Sequence, residues 1–343
     1  MVDARHWLAL ARTPGGRATL GALLDELGTP EALFTAPQAA LRSRSLPDET
    51  LGWLSAPDWA QVDADLAWLA ASGTTLVVRG APEYPALLAA TDDPPLLLFV
   101  RGHAAVLQRP QLAVVGSRNP TPLGARDAHA FADALTAAGL VITSGLALGI
   151  DGAAHQGALD AGGITIAVCA TGLDRVYPAA HRALAARIIE RGALVSEFPP
   201  GTHALRHHFP LRNRIIAGLS LGTLVVEAAA QSGSLITARL AGQAGREVFA
   251  IPGSIRVFAA AECERLDVAA RGFIINLEQI GILSPLQREV VIDKIMALEG
   301  AEEIDLEQAK WIILMVLFNQ PGQEDAYERV EDIVFADALG AVH

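Results

Sequence analysis

Lysine is almost missing from this chain: among 343 residues only Lys294 and Lys310 carry it. Every base in the first three quarters is therefore arginine or histidine. A Walker-type phosphate loop needs its lysine, so an ATPase or GTPase of that class is excluded for that part. Cysteine is as scarce. Cys169 and Cys263 are too few for a disulfide framework or a metal cage. No apolar run approaches the roughly 18 residues that a membrane-spanning helix needs. The first residues, Met1 to Trp7, carry an acid early and lead to no long apolar run before a small-residue cleavage site, so no signal peptide is read. The expectation is a soluble cytoplasmic protein with no membrane partner.

Acidic charge dominates the totals, 38 Asp and Glu against 26 Lys and Arg, and it is unevenly placed. Residues 255–343 hold 17 acids and 7 bases, whereas the preceding residues hold 21 and 19. A near-neutral domain can still bind a polyanion if its arginines face one groove. Three textures divide the chain. Residues 1–72 read as short helices, with Trp7, Leu8, Leu10, Leu20, Leu23, Leu24 and Leu27 at helical spacing between Gly15-Gly16, Gly28-Thr29-Pro30 and Pro47. Residues 73–254 alternate short apolar strands with helix-length segments. The strand runs are centred on Leu76–Val78, Leu96–Val100, Leu112–Val115, Leu140–Thr143, Ile164–Val168, Ala193–Ser196, Thr223–Val226 and Val248–Ile251. Continuous apolar strands with crossover helices predict an α/β domain with a mostly parallel sheet covered on both faces. Residues 255–343 read as an acidic helical tail, with helices over 262–280, 286–299 and 305–318 and breaks at Gly281 and Pro321-Gly322.

Ligands of an open α/β sheet bind beyond the carboxyl ends of its strands, and four segments there are rich in Gly, Ser and Arg. The first is Gly116-Ser117-Arg118, with Gly124 before the next helix: glycine admits a ligand to the backbone, amides hold phosphate and arginine neutralises it. The second runs from Ser144-Gly145 to Gly149 and Asp151, with Asp151 placed as a helix N-cap and His155 read as a satisfied, partly buried histidine. The third is a loop from Glu197 to Leu211 that carries Arg206, His207, His208 and Phe209 into Arg212-Asn213-Arg214. Arginine supplies planar phosphate contacts, and an exposed phenylalanine stacks a base of any identity. The fourth leads from Glu227 through Gln231 to Ser232-Gly233-Ser234 before a helix, again suited to an anion; Glu227 is read as structural. No carboxylate pair or nucleophile is evident, and His207-His208 lacks a third ligand, so neither metal nor cofactor is assigned. The residues amount to a phosphate-binding groove with stacking.

Taken in order, these motifs resemble the DprA/Smf family, the DNA-processing proteins of bacterial natural transformation. The matching string includes Tyr84-Pro85, Asp93-Pro94-Pro95, Gly116-Ser117-Arg118, Ser144 to Asp151, His155, Thr171 to Asp174 and Tyr177-Pro178. It continues through Ser196-Glu197, Phe209-Pro210-Leu211-Arg212-Asn213-Arg214, Glu227, Ser232 to Thr237 and Ile251-Pro252-Gly253. The resemblance implies a Rossmann-like fold behind a small SAM-like helical domain, and a protein that binds and protects single-stranded DNA and helps load the RecA recombinase. It implies DNA contacts at Arg118, Arg206 and Phe209, arginine standing at position 206 where the family commonly has lysine. After Pro252-Gly253 the chain departs from the family and resembles the Smg family instead, with a junction at Ser254. The family's dimer contacts lie largely in the segment replaced here, which leaves the homodimer and RecA loading open. The tail residues Ile274, Leu277, Ile280, Leu283, Leu314, Leu317 and Phe318 offer apolar surface that could cover the exposed edge. Two other readings stand beside this one: a Rossmann-like nucleotide phosphoribohydrolase with Glu227 as its acid, and a fused product impaired in dimerisation.

Overall fold

The computed structural model describes residues 4–15, 17–229, 232–251, 255–256, 260–280, 282–298, 303–318 and 330. Gly16, Gln231, Pro252, Gly253, Ser254, Gly281 and Pro321-Gly322, named above, lie outside them. The chain divides into two compact units, Met1–Ile255 and Arg256–His343.

Six helices open the first unit: α1 Ala4–Ala11, α2 Arg17–Leu27, α3 Pro30–Thr35, α4 Gln38–Arg42, α5 Asp48–Ser55 and α6 Trp59–Ser72. Their ends follow local chemistry. Thr29 caps α3 by accepting from the Ala32 N–H with Pro30 in the first turn, and Asp58 accepts from Gln61 at the start of α6. Gly73 ends α6 in the left-handed region (φ 64°), where a side chain would be strained.

An eight-stranded sheet follows, formed by β1 Thr74–Val78, β2 Leu97–Gly102, β3 Gln111–Val115, β4 Val141–Ser144, β5 Thr165–Val168, β6 Ala193–Ser196, β7 Gly222–Val225 and β8 Glu247–Ala250. Its order is β1-β2-β6-β5-β4-β3-β7-β8. The strands from β3 to β8 run parallel, whereas β2 is antiparallel to both β1 and β6. The sheet is thus mostly parallel, as the apolar runs required.

Side chains alternate between two layers of helix. On one face Val114 and Ile142 pack against α8 (Pro122–Ala137) and α9 (Ile150–Asp160). Leu97, Phe99 and Leu194 share that face with α10 (Arg182–Arg191) and with Trp7, Leu8, Leu20 and Leu33 of the opening helices. On the other face Leu98, Val100, Ala113 and Val115 pack against α7 (Ala86–Ala89) and α11 (His208–Leu219), and α12 (Gly233–Gln243) lies beside α11. Strands β3 to β6 fill the sheet in one direction, and the chain then crosses to place β7 and β8 beyond β3. That reversal makes the β3/β7 border the switch point at which α/β sheets bind ligands.

The second unit holds α13 Ala260–Arg265, α14 Val268–Gln279, α15 Pro285–Met296 and α16 Leu306–Phe318. The expected helix over 262–280 is two helices, because Asp267 accepts from the Ala270 N–H and restarts the chain as an N-cap. Ser284 and Gln287 form a capping box at the start of α15. Of the apolar tail residues named above, Ile274, Leu277, Leu283, Leu314 and Leu317 bury one another in the unit's own core, whereas Ile280 and Phe318 are exposed. Among the described residues no helix is long and apolar enough to cross a membrane.

Candidate nucleic-acid interface

The loop after β3 is held from behind. The Ser117 N–H donates to the Glu227 carbonyl (2.6 Å), and the Ser117 carbonyl accepts from the Ile150 N–H at the start of α9 (3.0 Å). The Glu227 carboxylate accepts from the Thr121 N–H (3.1 Å) and from its hydroxyl (2.7 Å), and that hydroxyl in turn accepts from the Gly124 N–H to cap α8. Glu227 thus latches two loops that lie 106 residues apart. The glycines answer to this packing. A Cβ on Gly116 would meet the Glu227 carbonyl at 2.6 Å, and one on Gly124, which lies inside α8, would meet the Glu227 carboxylate at 2.3 Å. Close approach of protein to protein, rather than of ligand to backbone, demands them. Glu227→Ala should therefore cost about 1–3 kcal/mol, because it removes the charged acceptor from the partly buried N–H and hydroxyl of Thr121. Urea unfolding measures this, together with faster amide exchange at Ser117 and Thr121.

The loop after β4 carries a second internal bracket. The Ser144 hydroxyl, read from the sequence as a ligand contact, is buried and donates to the Val114 carbonyl (2.6 Å), tying β4 to β3. Asp151 is the second residue of α9 rather than its N-cap, which is Gly149. Its buried carboxylate accepts from the N–H groups of Gly145 (3.1 Å) and Ala147 (3.2 Å) and so shapes the loop from below. Burial pushes that carboxyl above the usual range, and the nearby Arg212 guanidinium pulls it back. His155 is fully buried rather than partly so, with Nδ1 2.7 Å from the Thr165 hydroxyl. Burial first, then the nearby charges of His181 and Arg212, hold its pKa down to about 3.

The third segment is a shorter loop than expected, because α11 begins at His208 and carries Phe209, Arg212, Asn213 and Arg214 as helical positions. Helical spacing then separates them. Phe209, Arg212, Asn213 and Ile216 line a cavity, whereas Arg214 points elsewhere, donating to the Asp93 carbonyl (2.7 Å) and pairing with Glu197 (2.5 Å). Arg214 is an internal tie. Arg212 is only 4% exposed and donates to the Val168 carbonyl (3.0 Å), so it forms the cavity floor. Arg206 is exposed in the preceding loop, outside the cavity lining.

The fold brings Gly116, Ser117, Arg118, Phe209, Arg212, Ser232, Gly233 and Ser234 around one cavity of about 480 Å³ at the β3/β7 switch point. Gly145 lines a smaller adjoining cavity. The exposed Arg118 guanidinium lies 5.0 Å from the centre of the partly exposed Phe209 ring. Facing them is the N-terminus of α12, where Asn213 donates to the Gly233 carbonyl (3.1 Å) and the Ser232 and Ser234 hydroxyls bond each other. A helix N-terminus and an arginine offer donors suited to phosphate, and the aromatic face offers a surface suited to a flat ring. Tyr177, which the sequence placed in the matching string without giving it a contact, has its ring 5.9 Å from Phe209 at 59°.

Other chemistry finds little footing. Burial pushes the Cys169 thiol up to about 12 and leaves it un-ionised. No cluster of metal-ligating side chains occurs among the described residues. A cavity of about 440 Å³ between the opening helices and the sheet is lined by leucines, Asp93 and Glu197 with no cation, which suits no anion.

Comparison with known proteins returns two families. The profile of a family described as DNA recombination-mediator protein A matches residues 75–280, and one described as a protein of unknown function, DUF494, matches residues 236–343. The chain is 50% identical over 195 residues to Protein Smf of Escherichia coli, an alignment covering 57% of this chain and 52% of that protein. It is 53% identical over 90 residues to the Protein Smg homolog of Nitrosococcus oceani, covering 26% and 56%. It thus spans little more than half the length of each. Among solved structures, DNA processing protein A from Streptococcus pneumoniae superposes with a TM-score of 0.66 at 36% identity, covering 74% of this chain and 88% of that one.

Proposed function

The chain belongs to the DNA recombination-mediator protein A family, and from that premise we propose that it binds single-stranded DNA across the β3/β7 switch point. One observation carries this reading: Arg118 lies 5.0 Å from the Phe209 ring at a cavity whose lining includes the N-terminus of α12. Phosphates run past Arg118 and the amides of Ser232 to Ser234, with Arg206 guiding the strand in from the exposed loop. A base stacks on Phe209. Arg212, Arg214, Ser144 and Glu227 hold the surface in shape from beneath. The protein's role on this reading is to hold and protect incoming single strands and pass them to RecA, with a second copy of the chain as a further partner.

The reading is of a binding protein rather than a hydrolase. Glu227 would be the acid of a nucleotide hydrolase, but its carboxylate is buried and bonded to Thr121. Nucleoside monophosphates should release no base even at high protein concentration.

Fluorescence anisotropy with labelled oligo-dT tests the groove. Arg118→Ala and Phe209→Ala should each weaken binding more than about tenfold, since base–aromatic stacking contributes about 1–3 kcal/mol per base. Affinity should also fall steeply with salt as counterions are released. Unchanged affinity in both variants would remove the groove from consideration.

A further inference from the structure

In the second unit one helix is apolar on both sides. Ala309, Ile313, Leu314, Val316 and Leu317 of α16 are buried in the unit's core. Yet Trp311, Met315 and Phe318 of the same helix are 57%, 62% and 74% exposed. Their spacing, i, i+4 and i+7, sets the three along one line of the helix. A single apolar residue on a surface needs no explanation. A tryptophan, a methionine and a phenylalanine aligned over two turns form a stripe of the residue types that dominate protein interfaces. The same face turns acidic toward the start of the helix. Glu307, one turn before Trp311, is exposed although it pairs with the buried Lys310 (2.9 Å), and Glu303 and Asp305 are exposed just ahead of it. No exposed position of α16 carries a base.

Charge decides what covers the stripe. Helices that lie on anionic membranes carry lysine and arginine on their polar side, the reverse of what stands here. A second copy would bring the same excess of acid, 17 acids against 7 bases in residues 255–343, and the chain's own residues 319–343 hold six acids and one base. Like charge opposes both. We infer that the exposed face of α16 is a docking site for a basic amphipathic helix of another protein. The apolar side of that helix covers Trp311, Met315 and Phe318, and its lysines or arginines lie over Glu303 and Asp305. From Glu307 to Phe318 the face runs about 16 Å, so a segment of three to four turns covers it. Complementary charge guides the approach and fixes the orientation, and the aromatic anchors supply the affinity.

The test uses the full chain, without DNA, and a labelled synthetic helix with leucines along one face and lysines on the other, followed by fluorescence anisotropy. The helix should bind saturably, one per chain. Trp311→Ala should weaken it about tenfold or more, the loss usual for an aromatic anchor. Met315→Ala and Glu303→Lys should each weaken it about threefold. A helix with glutamates in place of the lysines should not bind. Circular dichroism checks that each variant folds. If Trp311→Ala and Met315→Ala bind as the parent does, attraction to net charge is all there is and the docking face is overturned. Equal binding of the glutamate helix, or no binding of the lysine helix, overturns it as well. If sedimentation shows that the chain self-associates and Trp311→Ala abolishes this, the occupant is a second copy and the basic partner falls.

Discussion

Gly145→Ala is expected to lower the unfolding free energy by about 3–5 kcal/mol, the usual loss when one of two buried opposite charges that act on each other is displaced. The added Cβ would lie 1.6 Å from the Arg212 Nη1 atom. A guanidinium that is 4% exposed and bonded to the Val168 carbonyl must then leave its seat, and the cavity it lines is its way out. Asp151, buried and held by the N–H groups of Gly145 and Ala147, would stay behind without its countercharge. The stability lost therefore belongs to the charge and not only to the collision. Adding Asp151→Asn to Gly145→Ala should return part of the loss, and urea unfolding of the two singles and the double reads out that coupling. Strictly additive losses would show that Arg212 and Asp151 do not depend on one another.

The second large effect is acid sensitivity centred on His155. The Thr165 hydroxyl has one proton and donates it to the Ile142 carbonyl (2.7 Å), so it accepts from His155 Nδ1–H. Nε2 is left without a proton and, being buried, without a partner. Protonation would place a cation in the core. The folded pKa, about 3, lies below the ordinary value of 6.5. A depressed folded pKa contributes stability that is complete above about pH 6.5 and drains away as pH falls toward 3, at up to about 1.4 kcal/mol per pH unit. His155→Leu removes that dependence. Its stability relative to the parent should rise steadily from pH 6.5 to pH 4, measured by urea unfolding at each pH. Parallel profiles would mean that His155 titrates normally.

How legible was this in the sequence? The sheet was legible because its strands are written as unbroken apolar runs, each of the eight lying on a strand, although the edge strand β8 is exposed along its length and not covered on both faces as expected. Direction was less so: β2 runs against its neighbours, and nothing in Leu97–Gly102 encodes orientation. The loop residues could be picked out as a set, since Gly, Ser and Arg cluster at strand ends. Their individual roles could not. Arg118, Arg212 and Arg214 look equivalent in the chain, yet one is exposed, one lies buried with Asp151 and one is tied to Asp93 and Glu197. What separates them is the helical start at His208 and partners 17 to 121 residues away. The glycines misled in the same way. Their positions pointed to the site, but Gly116, Gly124 and Gly145 are required by contacts with Glu227, Ile150 and Arg212.

One face of the sheet has Leu97, Phe99 and Leu194 in a common core with Trp7, Leu8, Leu20 and Leu33. The residues before Thr74 are therefore the second layer of that face rather than a cap laid over a finished domain. A recombination breakpoint or cloning boundary at Gly73 would sever half of a bilayered wall and turn Phe99 toward water. Whatever ancestry the opening helices have, they and the strands they cover must now be inherited together.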